Sequence, residues 1–170
     1  MEFLQVTSPD DYRVGKIYNS YINSFPEDER RDWTKFVALF THPKVKVFSV
    51  LHENNNSGYV VIWELSDFTF VEHFEVFNEY RNLKIGSQIL DILKQNYPRI
   101  ILEIEPEHLS EDAKRRFSFY QRNGFSLIDE MYLQPSYGDG KKKLELWLLA
   151  NYKPLDLKLT IDEIHDIVYH

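Results

Sequence analysis

The 170-residue sequence contains no cysteine. That absence excludes a disulfide framework, a thiolate metal site and a cysteine nucleophile. Long apolar runs are missing too, with nothing near the eighteen or so residues that a membrane-spanning helix needs. Met1-Glu2-Phe3-Leu4 lacks the basic segment and apolar stretch of an export signal. The expectation is a cytoplasmic protein with no membrane partner. The six histidines show no ligand spacing, so no metal is expected. Neither a Gly-Lys-Ser/Thr phosphate loop nor a Gly-x-Gly-x-x-Gly turn occurs, which disfavours a kinase or a dinucleotide dehydrogenase. Positive charge is scarce as well. The 20 Lys and Arg stand against 27 Asp and Glu, a net charge of −7. Nucleic-acid affinity depends largely on basic side chains, so no nucleic-acid partner is expected, and an amine-bearing substrate fits better.

Apolar residues are plentiful, at 43% with 15% aromatic, enough for a real core. The length suits one domain over 1–170. Hydrophobic periodicity alternates between about 2 and 3.6, which orders the elements. Phe3 to Val6 reads as a strand, and Ser8-Pro9 as the start of a helix carrying Tyr12, Ile17, Tyr21 and Phe25. A second helix is expected to open at Glu27-Asp28-Glu29. Strands follow from Lys44 to Leu51, Tyr59 to Leu65 and Phe68 to Phe77, the first two joined by the Asn- and Gly-rich turn at 54–58. Ile85, Ile89, Ile92 and Leu93 form one face of a crossover helix ending before Pro98. Ile100 to Ile104 then returns as a strand, parallel to the one before the helix. A helix from Ser110 to Arg122 and strands near 125–134 and 142–152 complete the body. Thr160-Ile161-Asp162-Glu163 reads as a capping box in a helical tail over 153–170. The fold class is α/β (α+β): a mixed, mostly antiparallel sheet of about seven strands, flanked by helices.

The most informative stretch is Arg81-Asn82-Leu83-Lys84-Ile85-Gly86-Ser87, between the fourth strand and the crossover helix. Backbone N–H groups at a helix start are unsatisfied, and the helix dipole favours anions there. Residues 81–122 carry eight basic and six acidic side chains, a positive region in an acidic chain. Farther on, Tyr120-Gln121-Arg122-Asn123-Gly124-Phe125 reads as a helix closing on a left-handed Gly.

These two segments resemble motifs of the GNAT superfamily of acyl-CoA-dependent N-acetyltransferases. The family's pyrophosphate loop runs Gln/Arg, any two, Gly, any one, Gly/Ala. Arg81 to Gly86 matches except that Lys84 stands where the first Gly would be. Tyr120 to Phe125 matches a Tyr-x-x-x-Gly-Phe segment, and the element order matches over nearly the whole chain. The resemblance implies acetyl-CoA (coenzyme A) as cosubstrate, without a metal, bound where the fourth and fifth strands splay apart. Phe74, Glu75 and Val76 would face its pantetheine arm. Arg81, Asn82, Leu83, Lys84, Ile85, Gly86 and Ser87 would hold its pyrophosphate. Lys84 implies either a more open loop or an extra phosphate contact.

In the same reading Tyr120 is the general acid and Glu103 the general base, with Glu72 and Glu75 as alternatives. Trp33, Tyr132 and Tyr137 would contact the acceptor, between the loop at 25–30 and the loop joining the last strands. His73 and His108 read as structural, and Lys141-Lys142-Lys143 as a solvated turn. The implied activity is direct acetyl transfer to a primary amine of a small molecule or peptide, through a ternary complex. The chain would be a monomer or homodimer. The alternative is a GNAT-fold module that binds acyl-CoA without turnover.

Overall fold

The alternation of apolar residues through the middle of the chain builds one twisted sheet. In the computed structural model, which describes residues 1–170, the strands are β1 (Glu2–Val6), β2 (Val45–His52), β3 (Asn55–Glu64), β4 (Thr69–Val76), β5 (Ile100–Ile104), β6 (Ser126–Asp129), β7 (Leu133–Gln134), β8 (Leu144–Glu145) and β9 (Trp147–Ala150). The helices are α1 (Val14–Ser24), α2 (Trp33–Ala38), α3 (Ile85–Asn96), α4 (Glu111–Arg122) and α5 (Leu157–Val168). Seven strands form the main sheet in the order β1-β2-β3-β4-β5-β9-β6, and β7 pairs with β8 apart from it. Every pairing is antiparallel except β4 with β5.

Successive strand residues point to opposite faces, so each face has its own core. Val61, Phe70, Ile101 and Leu148 pack with Ile17 and Tyr21 of α1, Phe36 of α2 and Ile164 and Val168 of α5. Val60, Ile62, Val71 and Leu102 pack on the other face with Ile85, Ile89 and Leu93 of α3 and Phe117 and Tyr120 of α4.

Two irregularities shape the centre. Val61 pairs with His73 but Ile62 pairs with Val71, so Glu72 is an extra residue, a β-bulge. The bulge resets the alternation, and Glu72, His73 and Glu75 all project toward α1. The second irregularity is a parting of strands. β4 pairs with β5 only from Thr69 to Val71, opposite Ile100 to Leu102. Beyond this, β4 continues to Val76 with β3 alone, while β5 continues along β9. The edge of β4 from Glu72 to Val76 therefore faces a gap.

Several boundaries differ from the sequence reading. α1 begins at Val14 rather than at Pro9, because Asp11 turns the chain by accepting from the Arg13 amide at 2.9 Å. Glu27–Glu29 is only a 3-10 turn, and α2 starts later, where Asp32 caps the Lys35 amide. The two long final strands are each broken, into β6 and β7 and into β8 and β9. α5 is capped by Asp156, whose carboxylate accepts from Leu159 at 3.0 Å. Thr160 and Glu163 form no capping box: Thr160 bonds back to the Asp156 carbonyl, and Glu163 accepts from the Ser66 amide and hydroxyl.

Candidate active site

The loop from β4 to α3 is an open array of donors. Asn82 and Lys84 both take left-handed backbone conformations, with φ 66° and 60°. Alternation of this kind turns neighbouring amides toward one concavity. The N–H groups of Asn82 through Ser87, six in a row, make no hydrogen bond within the chain, and α3 begins bonding only at Gln88, whose amide reaches the Lys84 carbonyl. No carboxylate lies in this segment. Donors without acceptors at a helix start suit a phosphate, so the residues present fit the pyrophosphate of coenzyme A. The Arg81 side chain is half-exposed, with Nε donating to the Val76 carbonyl at 3.1 Å and Nη2 3.8 Å from Glu75 Oε1. Lys84 carries its side chain in the left-handed region that favours glycine. At Gly86 an added Cβ would meet the Phe119 ring at 3.1 Å, which seats α3 against α4.

Tyr120 comes from α4, on the α3 side of the sheet. Its ring lies edge-on to Phe119 and Phe125, 5.2 and 5.7 Å between centroids. The helix closes as the sequence predicts. Gly124 has φ 86°, the Gly124 amide reaches Gln121, and the Phe125 amide returns to the Tyr120 carbonyl. Burial pushes the phenol up to about 12, so it stays protonated at neutral pH. Its hydroxyl takes part in none of the chain's hydrogen bonds, which leaves the proton free for donation.

The opposite face of β4 and β5 holds two enclosed carboxylates with contrasting environments. Glu72 has a fully buried side chain. Its Oε1 accepts from Arg31 Nε at 2.8 Å and the Tyr137 hydroxyl at 2.9 Å, and Oε2 accepts from Trp63 Nε1 at 2.6 Å. Burial alone would raise its pKa, but the Arg31 guanidinium, followed by His73 and Trp63, outweighs burial and holds it well below the usual carboxylate range. Glu103 has no cationic partner. Burial pushes it up to about 8, with Glu72 and Glu29 adding to the rise against two hydroxyls that oppose it. Those hydroxyls are Tyr132, at 2.8 Å, and Tyr169, at 2.6 Å, both on Oε1. Glu75 is also buried, and Oε1 accepts from Ser20 and Ser24 while Oε2 has no partner.

The structure corrects several expectations. Glu72 does not suit the base role, because its oxygens are occupied and the Arg31 guanidinium leaves it a poor proton acceptor. Tyr132 and Tyr137 do not present their rings to solvent. Both are buried, with hydroxyls committed to Glu103 and Glu72. Trp33 remains half-exposed, edge-on to Tyr18 at 4.6 Å. The lysines after Gly140 are not simply solvated. Lys141 Nζ bonds the Arg30 carbonyl, and the Lys142 amide bonds Asp28 at 3.0 Å. With Lys35 Nζ of α2 on the Tyr137 carbonyl at 2.6 Å, these contacts tie the 25–32 loop and the start of α2 to the 135–143 loop. His73 is buried against Tyr21 and Phe25, and His108 lies edge-on to Trp147. Sequence reading missed Arg31, Trp63 and Tyr169. Nothing local marks them, since each finds its partner across tens of residues.

No family model matches the chain, and no curated protein does. Among solved structures, a protein of Bacteroides thetaiotaomicron described as an acetyltransferase of the GNAT family is 28% identical, with TM-score 0.90 over 99% of this chain and 98% of that one. An aminoglycoside 6′-N-acetyltransferase complexed with coenzyme A is 11% identical, with TM-score 0.63 over 92% and 100%. A GNAT-family acetyltransferase of Elizabethkingia anophelis with acetyl-CoA bound is 17% identical, with TM-score 0.51 over 70% and 82%. The last two share the fold. No helix here is long and apolar enough to cross a membrane. The sheet order, the parallel β4–β5 pair that parts after Val71, and the nearly full-length agreement with the Bacteroides protein show that this chain has the GNAT fold.

Proposed function

We propose that the chain is an N-acetyltransferase that takes acetyl-CoA into the gap between β4 and β5 and transfers the acetyl group to a primary amine. The observation that carries this reading is the row of six partnerless amides, Asn82 to Ser87, beside a strand edge that faces a gap. Acetyl-CoA supplies an acetyl group activated as a thioester. The six amides donate to its pyrophosphate while Arg81 supplies positive charge, and the β4 edge at Phe74, Glu75 and Val76 offers backbone groups to its amide-bearing arm. Tyr120 gives its proton to the departing thiolate, which a phenol free of other partners suits. Glu103 takes a proton from the acceptor ammonium, and a group titrating at about 8 is matched to that task near neutral pH. Without a thiol anywhere in the chain, no acetyl-cysteine forms, and transfer runs directly in a ternary complex. The structures complexed with coenzyme A or acetyl-CoA support the cosubstrate.

The test is release of free thiol from acetyl-CoA with a panel of small amines and peptides. Tyr120→Phe is expected to lower kcat by about a hundredfold while acetyl-CoA affinity is kept. The melting temperature is expected to hold, because the hydroxyl makes no bond in the fold. Binding of acetyl-CoA without thiol release from any amine would instead support the acyl-CoA-binding module. Absence of binding would end both readings.

A further inference from the structure

Glu103 is held unevenly. Both hydrogen bonds that it receives land on Oε1, from Tyr132 at 2.8 Å and Tyr169 at 2.6 Å. Oε2 receives none and is not among the buried polar atoms sealed without a partner. One oxygen is thus pinned while the other stays free to meet a proton donor. Tyr132 reaches Glu103 from the strand region before β7, but Tyr169 arrives from the turn after α5, where it is fixed from several sides. Its ring lies 5.1 Å from that of Tyr137, and its amide bonds the His165 carbonyl. The carbonyl of Val168, just before it, accepts from Arg31 Nη2 at 2.7 Å, and Arg31 is the counter-ion of Glu72. The end of α5 is therefore wired to both enclosed carboxylates.

We propose that Tyr169 is a positioning residue, whose hydroxyl fixes the Glu103 carboxyl and favours its charged form, so that α5 belongs to the proton-handling apparatus as well as to the core. The packing of the ring needs no hydroxyl, since a phenylalanine would fill the same space against Tyr137. The groups facing Glu103 are Tyr132 and Tyr137 from the β6–β8 region, Glu72 on β4 with its partner Arg31, Glu29 in the loop before α2, and Tyr169. Glu29 and Glu72 oppose ionisation of Glu103, and the tyrosine hydroxyls offset them. Losing one hydroxyl removes a donor that only the anion uses fully, so the carboxyl titrates at higher pH.

The catalytic half of this inference rests on Glu103 as the base. The experiment separates the two by reading Glu103 directly, with a carbon-13 carboxyl titration of wild type and Tyr169→Phe, alongside pH profiles of kcat/KM. In Tyr169→Phe the midpoint of Glu103 is expected to rise by about one pH unit. The acid limb of kcat/KM is expected to move with it, lowering the rate at pH 7 about tenfold and leaving the alkaline plateau in place. Tyr132→Phe is expected to shift both in the same direction. A Glu103 midpoint unchanged in Tyr169→Phe overturns the proposal, as does a fall in rate equal at every pH. A shifted midpoint with an unshifted limb supports the hold of Tyr169 on Glu103 and removes Glu103 from the base role. Unimpaired activity of Glu103→Gln would remove it from that role independently.

Discussion

The two sides of β4 are built on opposite principles. Toward α3 lies a contiguous loop whose donors have no partners. Toward α1 and α5 lies a network of buried side chains bonded to one another, with Glu75 Oε2, His73 Nδ1 and Glu103 Oε2 left without partners. The first is the surface we propose for the pyrophosphate, and its donors are backbone amides at six consecutive residues. The second is assembled by side chains from Tyr21, Arg31, Trp63, Glu72, Glu103, Tyr132, Tyr137 and Tyr169, and fixes which carboxylate is charged. Binding the general part of a cosubstrate needs only geometry that one loop provides. Setting two carboxylates to opposite proton affinities needs a cation beside one and none beside the other.

The largest effect should come from breaking the open side. Gly86→Glu puts a negative charge among the amides and a Cβ against Phe119. We expect calorimetry to detect no acetyl-CoA binding, whereas retained affinity would move the phosphate site elsewhere. The committed side should break through Arg31→Met. Removing one partner of a buried pair leaves the other charge uncompensated, at a cost of about 3–5 kcal/mol, readable by urea denaturation. The sign with pH follows from Glu72, whose pKa is depressed in the folded chain. Its contribution is present above the unfolded carboxylate value of 4.5 and is lost as pH falls below it. The gap between Arg31→Met and wild type is therefore expected to narrow on acidification, and a gap independent of pH would contradict the pairing. The smallest effect is at Lys84. A side chain in the left-handed conformation costs roughly 1–2 kcal/mol, partly offset in Lys84→Gly by the greater freedom of unfolded glycine. A net gain of roughly 0.5–1 kcal/mol in chemical denaturation is expected, and a loss would show that the Lys84 side chain stabilises the loop.

The same contrast explains what could be read in the sequence. The donor-rich loop at 82–87, the crossover and the Tyr120–Gly124 closure are local, and their backbone requirements appear in adjacent residues. The parallel pair followed from strand, helix and strand in order. The bulge at Glu72 left no mark, because one inserted residue in an apolar strand looks like ordinary alternation, yet it decides which way Glu72 and His73 point. Tyr132 and Tyr137 read as acceptor contacts, and only the approach of Glu103 and Glu72 from other strands shows their rings turned inward. Ser8-Pro9 and Thr160-Glu163 had the residue types of helix starts, but the carboxylates of Asp11 and Asp156 determined where the chain turned.

The most direct measurement is an amide proton–nitrogen NMR titration of the protein with coenzyme A. The amides of Asn82 to Ser87 are expected to shift together, in saturable proportion to added ligand, with further shifts along the β4 edge at Phe74 to Val76, while those of α5 move far less. Shifts confined to other segments, or none at all, would contradict the pyrophosphate site at 82–87.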